Sequence, residues 1–255
     1  MLNFIKKFFY KPQIRFVCLL PEVAKTMPIT RASKVTFNWF KTAAENFKRQ
    51  REMADVGVSI KHIARCPGII TISKNGWIQK SYQDIIIATN GDGTSFRWQT
   101  PINQAGLKPG HEWVYDYVSQ HDDNTIAPYN TLKPDTLRTT IKIQSPWVVY
   151  IPKGYYLLFC PIPYPDDNRF TAACGILDGD QGPNFLNVQL FWHCLNSKEI
   201  IPAGTPLAQY FLIKKEDITE TVAGFSVAEV EDLQLRRMTL ESQFLPSYSK
   251  LKDIF

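Results

Sequence analysis

The segment GILDGDQG, residues 175–182, decides how this chain is read. An apolar run from Gly175 to Leu177 enters two acids, Asp178 and Asp180, with Gly179 between them and Gly182 just beyond. If the strand continues through both acids, the two-residue spacing puts their carboxylates on one face. Carboxylates so placed hold a divalent cation or supply a general base. They also cap tight turns by accepting from backbone N–H groups, which Asp does readily. We take the turn as the primary expectation and keep the acid pair as the candidate catalytic site.

The flanking sequence is strand-like in both directions. PWVVYIPKGYYLLFCP (146–161) reads as two strands divided at Pro152-Lys153-Gly154. FTAACGILDGD, NFLNVQLFWHCL and IIPAGTPLAQYFLIKK continue the series, with turns at 179–184, 196–197 and 202–204. Upstream, DIIIAT and TSFRWQT flank Asn90-Gly91-Asp92-Gly93, a hairpin signature. Short strands at this spacing without intervening helices predict an all-β sandwich or barrel. The ends differ. QIRFVCLL (13–20) reads as a strand, and PEVAKTMPIT (21–30), with two prolines, as extended chain. Residues 36–53 place Phe37, Phe40, Ala44 and Phe47 on one helical face, with Thr36 as N-cap. Val227, Val230, Leu233, Met238 and Leu240 predict a closing helix. The expected organisation is a basic strand-and-helix segment over 1–60, a β core over 61–220 and a helical tail over 221–255.

Composition adds bounds. The chain has 255 residues, 44% hydrophobic and 21% charged, which suffices for a substantial core. Its net charge of +5 is unevenly spread. Residues 1–51 hold eleven Lys and Arg against Glu22 and Glu45, so the rest of the chain is mildly acidic. A basic segment of this kind is either a solvated surface or a docking site for an anionic partner. Phe16 to Leu20 is too short an apolar run for a secretory leader, and no run approaches the length of a membrane span. The chain therefore reads as soluble and non-secreted. Five scattered cysteines (18, 66, 160, 174, 194) without CxxC spacing read as free thiols in a reducing compartment.

The 147–213 series resembles the core of the dUTPase and dCTP-deaminase superfamily, a β-clip fold. Gly175, Ile176, Asp178 and Asp180 match one family element; Ile201, Gly204, Thr205, Leu207, Ala208 and Gln209 match the closing one. The resemblance implies a mainly β, β-clip barrel or sandwich with helical decorations at both ends. It also implies a homotrimer, with Asp178 and Asp180 as catalytic acids, Arg169 and Gln209 as nucleotide contacts and Mg²⁺ as cofactor. The loop that carries an Arg-Ser pair in the family is here CPIPYPDDNRF, whose only cation is Arg169. With most of the phosphate clamp missing, the scaffold alone carries no activity. PEVAKTMPI, NWFK, IARCPGI and GWIQKSYQDIII, with the core series, resemble an uncharacterised domain family of tailed bacteriophages, cyanophages among them. That resemblance implies a viral protein in the virion or the host cytoplasm.

Three functions are therefore expected, in order. First is a non-catalytic binding or structural protein without a cofactor. Second is a Mg²⁺-dependent nucleotide pyrophosphatase or deaminase-like enzyme with Asp178 as base. Third is an Fe(II) oxygenase, because His121, Asp123 and His193 give the H-x-D…H series of a facial triad. The aromatics Trp39, Phe40, Phe47, Trp77, Phe96 and Trp98 are read as core, with base stacking as the alternative.

Overall fold

The computed structural model describes residues 12–54, 62–101, 117–121, 135–220, 222, 224 and 226–242. Its strands, in chain order, begin with β1 (Arg15–Cys18), β2 (Thr30–Arg31), β3 (Trp77–Lys80), β4 (Ile85–Thr89) and β5 (Phe96–Gln99). They continue with β6 (Val118–Gln120), β7 (Ile141–Ile143), β8 (Trp147–Tyr150), β9 (Tyr155–Cys160) and β10 (Phe170–Ala172). The last five are β11 (Gly175–Asp178), β12 (Asn184–Phe185), β13 (Val188–Trp192), β14 (Lys198–Ile201) and β15 (Pro206–Lys214). The α-helices are α1 (Pro21–Thr26), α2 (Asn38–Met53), α3 (Pro67–Lys74) and α4 (Val227–Ser242). The described chain is thus mainly β, and none of its helices is long and apolar enough to cross a membrane.

Two compact units are present. The first, Met1–Val35 with Asn75–Lys215, holds every described strand; the second, Thr36–Lys74 with Glu216–Phe255, holds α2, α3 and α4. These units do not follow the boundaries at 60 and 220. Residues 15–18 belong with the β unit because β1 pairs antiparallel with β8, Arg15 opposite Tyr150.

In the β unit the strands form four sheets, ordered β1-β8-β12, β10-β13-β7-β6, β11-β9-β15-β3-β2 and β14-β4-β5. Strands that follow one another directly in the chain repeatedly part company. β8 and β9 lie in different sheets, as do β10 and β11, and β12 and β13. Each short break at 151–154, 173–174 and 186–187 moves the chain from one sheet to another. The inward faces supply one core, in which Ile85, Ile87, Ile141, Ile143, Val149, Leu157, Leu190, Trp192 and Tyr210 are buried. The period-two burial of β4, β7, β8 and β10 is that of sheets wet on one side. Tyr210 Oη donates to Gln79 Oε1 (2.6 Å), and Gln79 Nε2 donates to Ser145 Oγ (3.1 Å), so a buried polar chain is satisfied within the core.

The hairpin, the strand divided at 152–154, the closing helix and the turn at 202–204 are present as expected. Gly204 has φ +89° and Leu207 is buried. Three local expectations are corrected. Pro21–Thr26 is a short helix and not extended chain, because proline is compatible with a first helical turn and Pro28 stops the helix only after Met27 has capped it. The residue preceding α2 is Phe37 and not Thr36, and no side chain caps that end. On that helix the buried position is Ala43, while Ala44 is exposed.

Candidate functional site

The acidic pair is held by a lysine that lies outside its local sequence. β11 ends at Asp178, and residues 179–181 form one 3₁₀ turn in which Asp178 Oδ1 accepts from the Asp180 N–H (2.9 Å). Gly179 is needed for that turn. A Cβ there would lie 2.5 Å from the Pro152 carbonyl oxygen and 2.9 Å from that of Tyr155, in the β8–β9 connection. The close approach lets Asp180 Oδ1 accept from the Gly154 N–H (3.3 Å), and Lys215 N donates to Gly154 O (2.8 Å). The Lys215 ammonium donates to both carboxylates, Asp178 Oδ1 and Asp180 Oδ2, and sits 4.4 Å from the centre of the Tyr156 ring.

This geometry answers the question raised by the spacing. Both acids do meet one partner, but through a strand end and a turn. The partner follows directly on β15, whose register sets Ile213 opposite Tyr156, which in turn faces Asp178 on its other side. The hydrogen bond from Lys215 holds the Asp178 and Asp180 carboxyls below their ordinary range, and the two carboxylates hold the ammonium above its own. A carboxylate depressed in this way is a weak proton acceptor. The donor set also fits Mg²⁺ poorly, because both carboxylates already accept from the Lys215 ammonium.

The pairing predicts a pH signature. A depressed carboxyl pKa adds stability above the unfolded value, and this is lost as pH falls through the folded value. A raised lysine pKa adds stability that is lost only in strong alkali. In urea unfolding, Lys215→Met should therefore be less stable than the parent at about pH 7, with the gap closing towards about pH 3. A gap independent of pH would mean that Lys215 acts by packing on Tyr156 and not through charge.

Arg169 is engaged within the protein. Its Nε and Nη2 grip Asp167 (2.9 and 2.7 Å), and its Nη1 donates to Ile200 O (2.6 Å) and, at 3.4 Å, to Glu199. Burial acts to raise the Asp167 carboxyl, but the Arg169 hydrogen bonds and charge outweigh it and hold the group low. Arg169 therefore clips the 161–169 loop to β14. Gln209, expected as a nucleotide contact, is buried, and its Nε2 donates to Asn75 O (2.7 Å). His193 is half-buried between two hydroxyls, with Nε2 2.8 Å from Thr171 Oγ1 and Nδ1 3.3 Å from Thr136 Oγ1. Both ring nitrogens are thus occupied, which fits an iron ligand poorly. The His121 N–H donates to Thr140 O (3.0 Å), and Asp123 lies outside the described residues. Among the described residues no three His, Cys, Asp or Glu side chains gather as a metal site. Phe96 is buried, while Trp98 remains 41% exposed; Trp77 packs between Phe16 and Arg31.

A cleft of about 260 Å³ opens beside the Arg169 loop. The 161–172 segment forms most of its wall, with Pro206 and Leu207 opposite. Its lining mixes prolines and other apolar residues with Asn168, Asp167 and Thr171. Nothing in the periodicity marks this cleft. The only local signal is the cluster of prolines at 161, 163 and 165. Compared with protein-family models and with curated protein sequences, the chain matches neither.

Proposed function

We propose that this chain is a non-catalytic binding or structural protein of a tailed bacteriophage, built on a dUTPase-like β-clip and acting as a homo-oligomer in the virion or host cytoplasm. The observation that carries this reading is Lys215. It neutralises one of the two acids on which hydrolysis would depend and makes the pair part of the β8–β9 and β11 turn. Arg169 and His193 support it, being held by protein groups where substrate or metal would have to bind. The repeated crossing of successive strands between sheets is what supports the clip scaffold. Along α2 the exposed Lys41, Lys48, Arg49 and Arg51 suit an anionic partner.

Thermal unfolding of the purified chain should not shift with any deoxynucleotide in the presence of Mg²⁺, and light scattering should give an oligomer. A shift of several degrees with one nucleotide plus Mg²⁺, lost in Asp178→Asn, would overturn the reading in favour of a nucleotide hydrolase. Iron that co-purifies and is lost in His193→Ala would overturn it in favour of an oxygenase.

A further inference from the structure

Two of the five cysteines lie at the same end of a ladder. In the β9–β11 pair the last matched residues are Phe159 and Gly175; continuing that register by one position would set Cys160 against Cys174, which is near enough to act on the Cys160 thiol. The register cannot slip there. The Phe159 ring lies directly over Gly175, where a Cβ would come within 2.2 Å of the ring. If the ladder's spacing holds one position further, the Cα atoms would be about 4.5–5.5 Å apart, inside the window of roughly 4.4–6.8 Å that a disulfide spans. In that register their side chains would leave the same face of the sheet. Cys174 is exposed and Cys160 half-buried, and both are free thiols. The Cys160 Sγ makes only a weak contact, 3.8 Å, with Gln209 O, which rotation about its Cα–Cβ bond would release.

We propose that Cys160 and Cys174 form a reversible cross-strand disulfide that latches the wall of the cleft. The segment between them, 161–173, contains Pro161, Ile162, Pro165, Phe170 and Thr171, so the bond would close the cleft loop at its neck. The inference is independent of what the cleft binds and of whether the chain is catalytic. The oxidant is a low-molecular-weight disulfide such as oxidised glutathione. The exposed Cys174 thiolate attacks one of its sulfurs, expelling one glutathione thiolate and leaving a mixed disulfide. The Cys160 thiolate then attacks the Cys174 sulfur and expels the second. Two protein thiols thereby lose two electrons and two protons, and the reagent is reduced to two thiols. Burial, then the nearby Cys174, pushes the Cys160 thiol up to about 11, so the second step should accelerate with rising pH.

The test treats the folded full-length chain with oxidised glutathione and maps linkages by mass spectrometry of a non-reduced digest. The expected product has lost two hydrogens, joins Cys160 to Cys174, and melts roughly 5–10 °C higher than the reduced chain. Reduction should reverse both changes. Cys174→Ser, altered at an exposed position, should show neither. A lasting glutathione adduct at Cys174, a link to Cys18, Cys66 or Cys194, or a Cys174–Cys174 dimer would overturn the proposal. A Cys160–Cys174 bond with no change in melting would overturn the latch.

Discussion

Gly76→Ala is expected to destabilise the β unit by about 4 kcal/mol or more, which would lower the urea midpoint by roughly 2 M. Two effects combine. Gly76 has φ +75°, a region that costs a residue with a Cβ about 1–2 kcal/mol. The larger effect is steric, because the new Cβ would lie 1.9 Å from the Tyr210 carbonyl oxygen, a backbone atom that no rotamer change can move. Tyr210 pairs with Trp77 in the middle of the β11-β9-β15-β3-β2 sheet, so relieving the clash means prising β15 from β3. The Ala32 N–H also donates to Gly76 O (3.1 Å), which ties the same turn to β2. Gly204→Ala separates the two effects. It shares the positive φ (+89°), but its Cβ would find nothing nearer than Met27 Cε at 3.9 Å, so it should cost only the conformational part. Equal losses at the two glycines would show that the close approach at Gly76 does not matter.

Trp192→Ala should cost about 3–5 kcal/mol, the usual range for removing a fully buried aromatic side chain. Trp192 is the largest fully buried side chain of the core. It stacks parallel to Phe170, centroids 6.4 Å apart, and its Nε1 donates to Cys194 O (2.9 Å). Its removal therefore leaves a cavity, while the Cys194 carbonyl keeps its bond from Thr89 Oγ1 (2.6 Å). Phe170 also lines the cleft, so the 161–172 wall should loosen as well. Trp192→Phe keeps most of the volume and should recover more than half of the loss in chemical denaturation. If Trp192→Ala unfolded at the parent's denaturant concentration, Trp192 would not be a central core contact.

The turn at Asp178 illustrates what a local reading reaches and where it stops. The alternation of residues 147–160 and 184–192, and the glycine between two acids, correctly indicate strands ending in a polar turn. The Asn90–Gly93 hairpin is equally visible, because its turn residues and flanking β-branched runs are neighbours in sequence. Lys215 was not visible in the same way. It lies 35 and 37 residues from the acids it holds, and the tail of a strand rich in Leu and Ile gives no sign of which turn it will reach. The same holds for Arg169, whose Ile200 and Glu199 partners are brought to it by β14. The short helix at 21–26 was missed because two prolines look alike in sequence, although Pro21 starts a helix and Pro28 ends one.

Strands joined by short turns, the helix that closes the described chain and the glycine turns are legible in the sequence. These follow from side-chain period and backbone sterics, which act over a few residues. Tertiary structure alone decided that neighbouring strands separate into four sheets, and which residues wall the cleft. It also decided that the two acids share a lysine. Those outcomes depend on register and on which faces bury together, a choice made by the whole core at once and therefore carried by no single segment.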